Sequence, residues 1–259
     1  MRYDRREPNT FSPGTSDGSA KRYTQQAAGR IPVVAGTGSN STTEAIKLTK
    51  HAQKDGADGC LVVAPYYNKP TQRGLIEHFV RIADVGLPII VYNIPGRTGV
   101  DILPETLAHL AHYEIIVGIK EATGSVERVI QDILLCGEKL TYLSGDDPLT
   151  LPMISVGAHG VISVLSNLLP KEVVEMLDMA RLCDYNTKLQ RFLRLFPIMK
   201  AMFMETNPIP IKAAMAMMGL LEPVWRSPLV APSVAARGAI QKEMRKLGLH
   251  FSGDCPTSG

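Results

Sequence analysis

Six short apolar runs, each followed by a polar or glycine-rich turn and then by a helical pattern, constrain the fold of this 259-residue chain most strongly. Parallel strands need a crossover of a dozen or more residues, which is usually a helix. The alternation therefore predicts a parallel sheet built from βαβ units with right-handed connections. The predicted strands cover residues 31–35, 60–64, 88–92, 115–119, 141–143 and 159–164.

The two ends of the chain depart from this alternation. Residues 1–29 are polar and rich in proline, glycine and serine, so we expect them to be disordered. The βα units occupy residues 30–169, and residues 170–249 show only helical patterns. We expect residues 250–259 to form a disordered tail.

Two α/β architectures fit six such units. A doubly wound open sheet needs no further strand, and it binds ligands at the carboxyl ends of its strands. A (β/α)8-type barrel of about 250 residues matches the chain length, but it needs eight strands. The six units alone leave both architectures open.

The composition excludes several classes of protein. A formal net charge of +3 is too small to indicate binding to nucleic acid or to an anionic membrane. No apolar run approaches the roughly 20 residues of a membrane helix, and residues 1–30 lack the apolar core of a secretory signal. The four cysteines form no CxxC motif, which indicates reduced thiols in a cytoplasmic protein.

The run IIVGIKEATG at residues 115–124 places Lys120 at the carboxyl end of a predicted buried strand. Burial there disfavours the ammonium form and lowers the pKa of the lysine. A neutral amine at a strand end can attack a ketone and form a Schiff base. The competing interpretation is a lysine whose ammonium reaches solvent along its flexible stem.

Aromatic and basic side chains follow the two preceding predicted strands. Tyr66 and Tyr67 follow the second strand, and Tyr92 and Arg97 lie at the end of the third. A tyrosine can shuttle the protons of Schiff-base chemistry, and an arginine fork suits a substrate carboxylate. Each also has a structural interpretation, as a core or interface aromatic or as a solvated loop charge.

Four motifs, in chain order, resemble those of the dihydrodipicolinate synthase (4-hydroxy-tetrahydrodipicolinate synthase) family of pyruvate-dependent class I aldolases. They are PYYN at 65–68, YNIPGRTG at 92–99, GIKEATG at 118–124 and LSGDD at 143–147. The likeness extends from about residue 29 to residue 249. It implies a (β/α)8 barrel with a C-terminal helical extension, assembled as a homotetramer of tight dimers, with no metal or organic cofactor.

The resemblance assigns catalytic roles by position. Lys120 resembles the Schiff-base lysine that captures pyruvate, and Tyr92 resembles the tyrosine that relays protons beside it. Tyr67 resembles the tyrosine that completes this relay in the neighbouring subunit's site. Arg97 resembles the arginine that holds the carboxylate of aspartate semialdehyde.

Further positions resemble the walls of two binding sites. Gly145 and Ile162 resemble residues that line the pyruvate pocket. Asn40, Glu44 and Tyr66 resemble positions that bind feedback lysine in some family members. For Glu44 a capping box with Ser41 at the start of a helix is an equal alternative.

The implied reaction condenses pyruvate with aspartate semialdehyde in lysine and diaminopimelate biosynthesis. An N-acetylneuraminate lyase, or another keto-acid aldolase, is the first alternative, although that branch usually lacks an arginine at the position of Arg97. A non-catalytic remnant that associates with a paralogue is the second alternative.

The chain departs from the family pattern before Ile31. The family begins with two further strands, and a Gly-Thr-Thr-Gly-Glu loop there supplies a relay threonine and binds the pyruvate carboxylate. The segment GTSDG at 14–18 is weakly similar to that loop, and we interpret the similarity as chance. A barrel without those strands exposes two sheet edges, which predicts low stability, self-association and weak turnover.

Two pairs of polar residues receive structural interpretations. His109 and His112, spaced i, i+3 on a predicted helix, lack further ligands for a metal and are expected on a solvated face. Asp146 and Asp147 are expected to serve a turn and a helix cap rather than acid–base chemistry.

Overall fold

The computed structural model describes residues 19–181 and 185–251. These residues form two compact units, which divide between Ile162 and Ser163. The first unit alternates strands and helices, and the second is helical.

Six strands of the first unit form one sheet in which every neighbouring pair is parallel. They are β1 Val34–Gly36, β2 Gly59–Val63, β3 Ile89–Asn93, β4 Ile116–Glu121, β5 Thr141–Ser144 and β6 Gly160–Val161. Their order in space is their order in the chain. A doubly wound sheet reverses its order at a switch point, whereas a barrel does not. The fold is therefore of the (β/α)8-barrel type, and the described residues supply six of its eight strands.

Helices lie between these strands as the sequence predicts, and one further helix, α1 Ser19–Ala27, precedes β1. The helices that follow the strands are α2 Thr42–Lys54, α3 Gln72–Ala83, α4 Pro95–Thr98, α5 Pro104–Leu110, α6 Val126–Cys136 and α7 Thr150–Ser155. The main helices begin at polar caps, because a hydroxyl oxygen there accepts a hydrogen bond from an unpaired amide of the first turn. Ser41, Thr71 and Ser125 cap α2, α3 and α6 in this way.

The core lies between the sheet and its helices. All five residues of β2 are buried, which is typical of a parallel strand covered on both faces. Gly118 in β4 permits close approach to β5, since a Cβ there would lie 2.6 Å from the carbonyl oxygen of Thr141. Larger residues at this position would push the two strands apart.

The described residues of the second unit form four α-helices, which agrees with the predicted C-terminal helical extension. They are α8 Pro170–Arg181, α9 Tyr185–Ala201, α10 Ile209–Met217 and α11 Val234–Lys246. Glu172 and Glu175 of α8 form ion pairs with Arg191 of α9. No helix within the described ranges has both the length and the apolar character needed to cross a bilayer.

The structure corrects the prediction of disorder at both ends of the chain. Residues 19–27 form α1, and Thr24 Oγ1 of that helix donates a hydrogen bond to the carbonyl oxygen of Asp55 at 2.7 Å. Phe251 is buried, and its ring lies 5.2 Å from the Arg245 guanidinium. The Thr24–Asp55 bond joins residues 31 positions apart, and the Arg245–Phe251 contact pairs a cation with an aromatic ring. The composition of the two end segments reveals neither contact. Residues 1–18 and 252–259 lie outside the described residues.

A buried carboxyl on α6 has an unusual environment. Asp132 is 1% exposed, and neither of its carboxyl oxygens has a hydrogen-bond partner among the described residues. Burial, which is the main cause, and the nearby charge of Glu121 raise the pKa of this carboxyl to about 8, although Arg128 opposes the shift. The folded chain therefore holds a proton on Asp132 at pH values where the unfolded chain has released it.

The variant Asp132→Asn tests this account through the pH dependence of stability. Because the native pKa exceeds the unfolded value, the wild-type chain loses stability as the pH rises from about 4 to 8. At pH 8 the asparagine variant should be more stable in urea unfolding, on the order of 3 kcal/mol, with no difference near pH 4. The matched control is Glu127→Gln, which changes an exposed acid on the same helix. An equal difference at both pH values would contradict the account.

Candidate active site

The parallel register of β3 and β4 brings the predicted catalytic pair together. Tyr92 and Lys120 are direct partners across these strands, so their side chains leave the same face of the sheet. The Lys120 ammonium nitrogen lies 4.1 Å from the centroid of the Tyr92 ring. Lys120 is 8% exposed and belongs to β4 itself, so the expected solvent-directed alternative is wrong.

Burial tunes the Lys120 amine. It lowers the pKa of Lys120 from 10.5 to about 8, because the ammonium loses hydration. The carboxylate of Asp147 opposes this shift, and the positive charge of Arg97 adds to it. At neutral pH roughly a tenth of such an amine is neutral, which is sufficient for a nucleophile.

Arg97 projects from α4, a single helical turn that follows β3. Pro95 fixes the start of the turn, and Gly99 ends it in the left-handed conformation at a φ of 75°. The Thr98 hydroxyl donates to the carbonyl oxygen of Val100 at 2.8 Å and holds the turn closed. Arg97 is thus exposed on an internally bonded turn, close enough for its charge to act on Lys120.

Gly145 lies directly beside the Lys120 stem. Its amide donates to the carbonyl oxygen of Glu121 at 2.7 Å, and a Cβ on Gly145 would lie 3.1 Å from Lys120 Cε. A Cβ there would also lie 2.7 Å from the Ala122 Cβ, so glycine is what allows the chain after β5 to pack this closely against the lysine stem. Ile162 follows β6, and its amide donates to the carbonyl oxygen of Ser144 at 2.9 Å. Both residues lie just beyond the carboxyl ends of their strands, on the edge of the sheet that carries Lys120.

Tyr66 and Tyr67 occupy the loop after β2. The Tyr67 amide donates to the carbonyl oxygen of Thr98 at 3.2 Å, which ties this loop to the Arg97 turn. Tyr67 is 89% exposed and has a φ of 74°, a conformation that a tyrosine rarely adopts. The structure therefore does not bring the Tyr67 ring to Lys120 within this chain.

The residues assigned to feedback lysine lie at the start of α2 and in the loop that contacts it. The Asn68 amide donates to the Asn40 carbonyl oxygen at 2.9 Å, which links this region to the tyrosine loop. Ser41 accepts from the Glu44 amide, as the capping box requires. The predicted return bond from the Ser41 amide to the Glu44 carboxylate is wrong. The Glu44 carboxylate accepts from the Ser39 hydroxyl, and the Ser41 amide donates to Ser39 Oγ.

Sequence reasoning missed the electrostatic role of Asp147. This residue is 2% exposed, and its charge acts on Lys120. The expected side-chain cap is also absent, since Asp146 stands at the cap position without a side-chain cap bond. Instead the Ser144 hydroxyl bridges the amide and carbonyl of Asp146. The sequence did contain a signal for this role: two acids follow β5, the strand next to the one that carries Lys120.

The histidine pair on α5 and just after it faces solvent. His109 and His112 are both exposed, and His112 Nδ1 lies 2.9 Å from the Ala108 carbonyl oxygen. Within residues 19–181 and 185–251, no group of three or more acidic, histidine or cysteine side chains is arranged to hold a metal ion.

Comparison with known proteins agrees with this geometry. The model of the dihydrodipicolinate synthetase family matches residues 20–247. The 4-hydroxy-tetrahydrodipicolinate synthase of Pelobacter propionicus is 50% identical over 226 residues, which are 87% of this chain and 78% of that protein.

Solved structures show the same likeness. The dihydrodipicolinate synthase of Aquifex aeolicus superposes with a TM-score of 0.91 at 44% identity and covers 94% of this chain and 84% of that one. The chloride-inhibited dihydrodipicolinate synthase of Acinetobacter baumannii, solved in complex with pyruvate, gives a TM-score of 0.89 at 40% identity. It covers 93% of this chain and 83% of its own. The chain therefore belongs to the dihydrodipicolinate synthetase family.

Proposed function

We propose that the chain is a class I aldolase-type synthase, a lyase that condenses pyruvate with aspartate semialdehyde to form 4-hydroxy-tetrahydrodipicolinate. One observation carries the proposal: a buried amine, Lys120, with a pKa of about 8, lies 4.1 Å from the Tyr92 ring centroid at the carboxyl end of a parallel sheet. The pyruvate complex of the Acinetobacter baumannii relative supports the first substrate. The reaction needs no metal or organic cofactor.

The proposed reaction begins at the Lys120 amine. The neutral nitrogen attacks the ketone carbon of pyruvate, and loss of water from the carbinolamine gives an imine. Loss of a methyl proton gives an enamine, whose carbon adds to the aldehyde of aspartate semialdehyde and forms a carbon–carbon bond. The amino group of the semialdehyde then attacks the imine carbon, closes the ring and releases Lys120. One water molecule leaves for each pair of substrates joined.

The neighbouring residues divide the remaining tasks. Tyr92 relays protons to and from the carbinolamine oxygen. Arg97 binds the carboxylate of aspartate semialdehyde through its two-pronged guanidinium. Gly145 and Ile162 line the pyruvate pocket, and position 145 must be glycine because a Cβ there would lie 3.1 Å from Lys120 Cε.

We propose that the chain assembles as a dimer of dimers in the cytoplasm. The conformation of Tyr67 supports this, because backbone strain is typical of functional positions and the exposed ring does not contribute to this chain's own site. In the assembly Tyr67 enters the neighbouring subunit's site and completes the proton relay there. The free, buried thiols of Cys60 and Cys136 are consistent with a reducing compartment.

We also propose that Asn40, Glu44 and Tyr66 bind lysine as a feedback ligand. A carboxylate, a carbonyl oxygen and a phenol hydroxyl match an amino acid with two ammonium groups. The Glu44 carboxylate accepts a hydrogen bond from Ser39, and the Asn40 carbonyl oxygen accepts one from Asn68 in the loop that carries Tyr66. Neither the N-acetylneuraminate lyase alternative nor the non-catalytic alternative receives support from the named relatives.

Borohydride reduction in the presence of pyruvate tests the nucleophile. Peptide mass spectrometry should locate the pyruvyl adduct on Lys120, with a trapping rate that rises through about pH 8 rather than 10.5. Lys212 is an internal control, because it is equally buried but its ammonium donates to the Val224 carbonyl oxygen. Lys120→Ala should abolish trapping. An adduct on another lysine, or none in a folded chain, would refute the assignment.

The variant Arg97→Lys tests the second substrate. It keeps a positive charge near Lys120 but loses the bidentate fork, so KM for aspartate semialdehyde should rise on the order of tenfold. The pyruvate trapping rate should stay within about twofold of wild type. Arg73→Lys, at an exposed position on α3, is the matched control. An unchanged KM, or turnover with sugar aldehydes instead, would favour another keto-acid aldolase.

Complementation between two inactive variants tests the role of Tyr67 across subunits. Lys120→Ala retains Tyr67, and Tyr67→Ala retains Lys120. If Tyr67 acts in its neighbour's site, each mixed dimer holds one complete site, so co-expression in equal amounts should restore about a quarter of wild-type activity. Each variant expressed alone is the control. Mixed oligomers without recovery would show that Tyr67 does not act across the interface.

A further inference from the structure

Two polar residues lie behind the catalytic pair on the same strands. Successive residues of a strand point to opposite faces, so Asn93 and Glu121 face away from the side that carries Tyr92 and Lys120. They are themselves register partners, and the Asn93 amide donates to the Glu121 carboxyl at 3.1 Å. Both are fully buried. Each catalytic residue therefore has one member of a buried polar pair as its immediate chain neighbour.

Glu121 uses both of its carboxyl oxygens. One accepts from the Asn93 amide, and the other accepts from the backbone amide of Thr123 at 2.6 Å. The second bond folds the chain over directly after β4. Burial is the main reason that the pKa of Glu121 is raised, and these two bonds oppose the shift. The pair thus joins two strands to each other and to the turn that follows the lysine.

Asn93 also closes the loop that carries Arg97. Its amide nitrogen donates to Asp101 at 2.9 Å, and its carbonyl oxygen accepts from the backbone amide of Ile102 at 3.1 Å. Asp101 is held in turn by Arg128 of α6 through two hydrogen bonds, at 2.8 and 2.6 Å. Both ends of the loop from residue 93 to residue 102 are therefore fixed by one side chain.

We propose that Asn93 and Glu121 are positioning residues that set the relative placement of Lys120, Tyr92 and Arg97. They touch no substrate, but they join the two catalytic strand ends and the arginine loop in one buried hydrogen-bonded group. Errors of about 1 Å in such placement cost up to a hundredfold in rate. This inference rests on the proposed function for the identity of the reaction. The hydrogen-bonded geometry is independent of that function.

The variant Glu121→Gln tests the proposal. Glutamine has one acceptor oxygen, so its amide nitrogen must face either the Asn93 amide or the Thr123 amide, and both are donors. Asp132→Asn is the matched control, since it removes a buried acid near Glu121 that bonds to neither strand end. The charged groups that face Glu121 are Arg128 and Asp132, and those that face Lys120 are Asp147 and Arg97.

Two readouts separate positioning from a merely structural role. In Glu121→Gln, Lys120 should gain water, so the inflection of the pyruvate trapping rate should move up by about one pH unit and the rate at pH 7 should fall on the order of tenfold. A crystal structure of this variant should show a longer distance from the Lys120 nitrogen to the Tyr92 ring. A change in stability alone would leave both quantities unchanged in the folded molecules, and this is the result expected for Asp132→Asn.

The outcomes decide between two claims. If wild type traps pyruvate and Glu121→Gln matches it in rate, inflection and geometry, the positioning role is refuted while the proposed function stands. If wild type fails to trap pyruvate, the proposed function fails, and the crystal structure of the variant still decides the positioning claim. If Glu121→Gln does not fold, Asp101→Asn takes its place. That half-buried change should raise KM for the aldehyde about fivefold without affecting pyruvate trapping, and no rise would refute the proposal.

Discussion

The parallel register of β3 and β4 is the constraint on which the site depends. It pairs Tyr92 with Lys120 on one face and Asn93 with Glu121 on the other. A shift of one residue in either strand would exchange the faces and place the lysine among the helices. The register is in turn held by the buried apolar residues of both strands, while the close contact at Gly118 joins β4 to β5 on its other side. Catalytic geometry and packing therefore have the same physical origin.

Burial on both faces of the sheet also gives the lysine its chemistry. In a solvated loop the amine would remain an ammonium ion, whereas removal from water lowers its pKa to about 8. The charge of Asp147 raises the pKa and that of Arg97 lowers it, but desolvation is the largest cause. The same effect keeps a proton on Asp132 at a helix that packs behind the sheet. One environment thus produces a nucleophile on one side and a neutral acid on the other.

Much of the fold was predictable from sequence, because it depends on local periodicity. The strands around Lys120 and Tyr92 lie within one or two residues of their predicted positions, whereas β1 begins three residues later than predicted, after Pro32, which cannot donate a ladder hydrogen bond. The choice of a barrel over a doubly wound sheet needed the resemblance, since strand order is not a local property. The contact of helix α1 with Asp55 and the Asn93–Glu121 pair join residues that are distant in the chain, so no local pattern revealed them.

A crystal structure of the chain soaked with pyruvate would test the central claim most directly. The account predicts continuous electron density from the Lys120 nitrogen to the ketone carbon of pyruvate, on the face that carries Tyr92. It also predicts that Asn93 and Glu121 remain hydrogen-bonded behind the adduct. An unmodified Lys120 with pyruvate bound elsewhere, or an adduct on another lysine, would contradict the account.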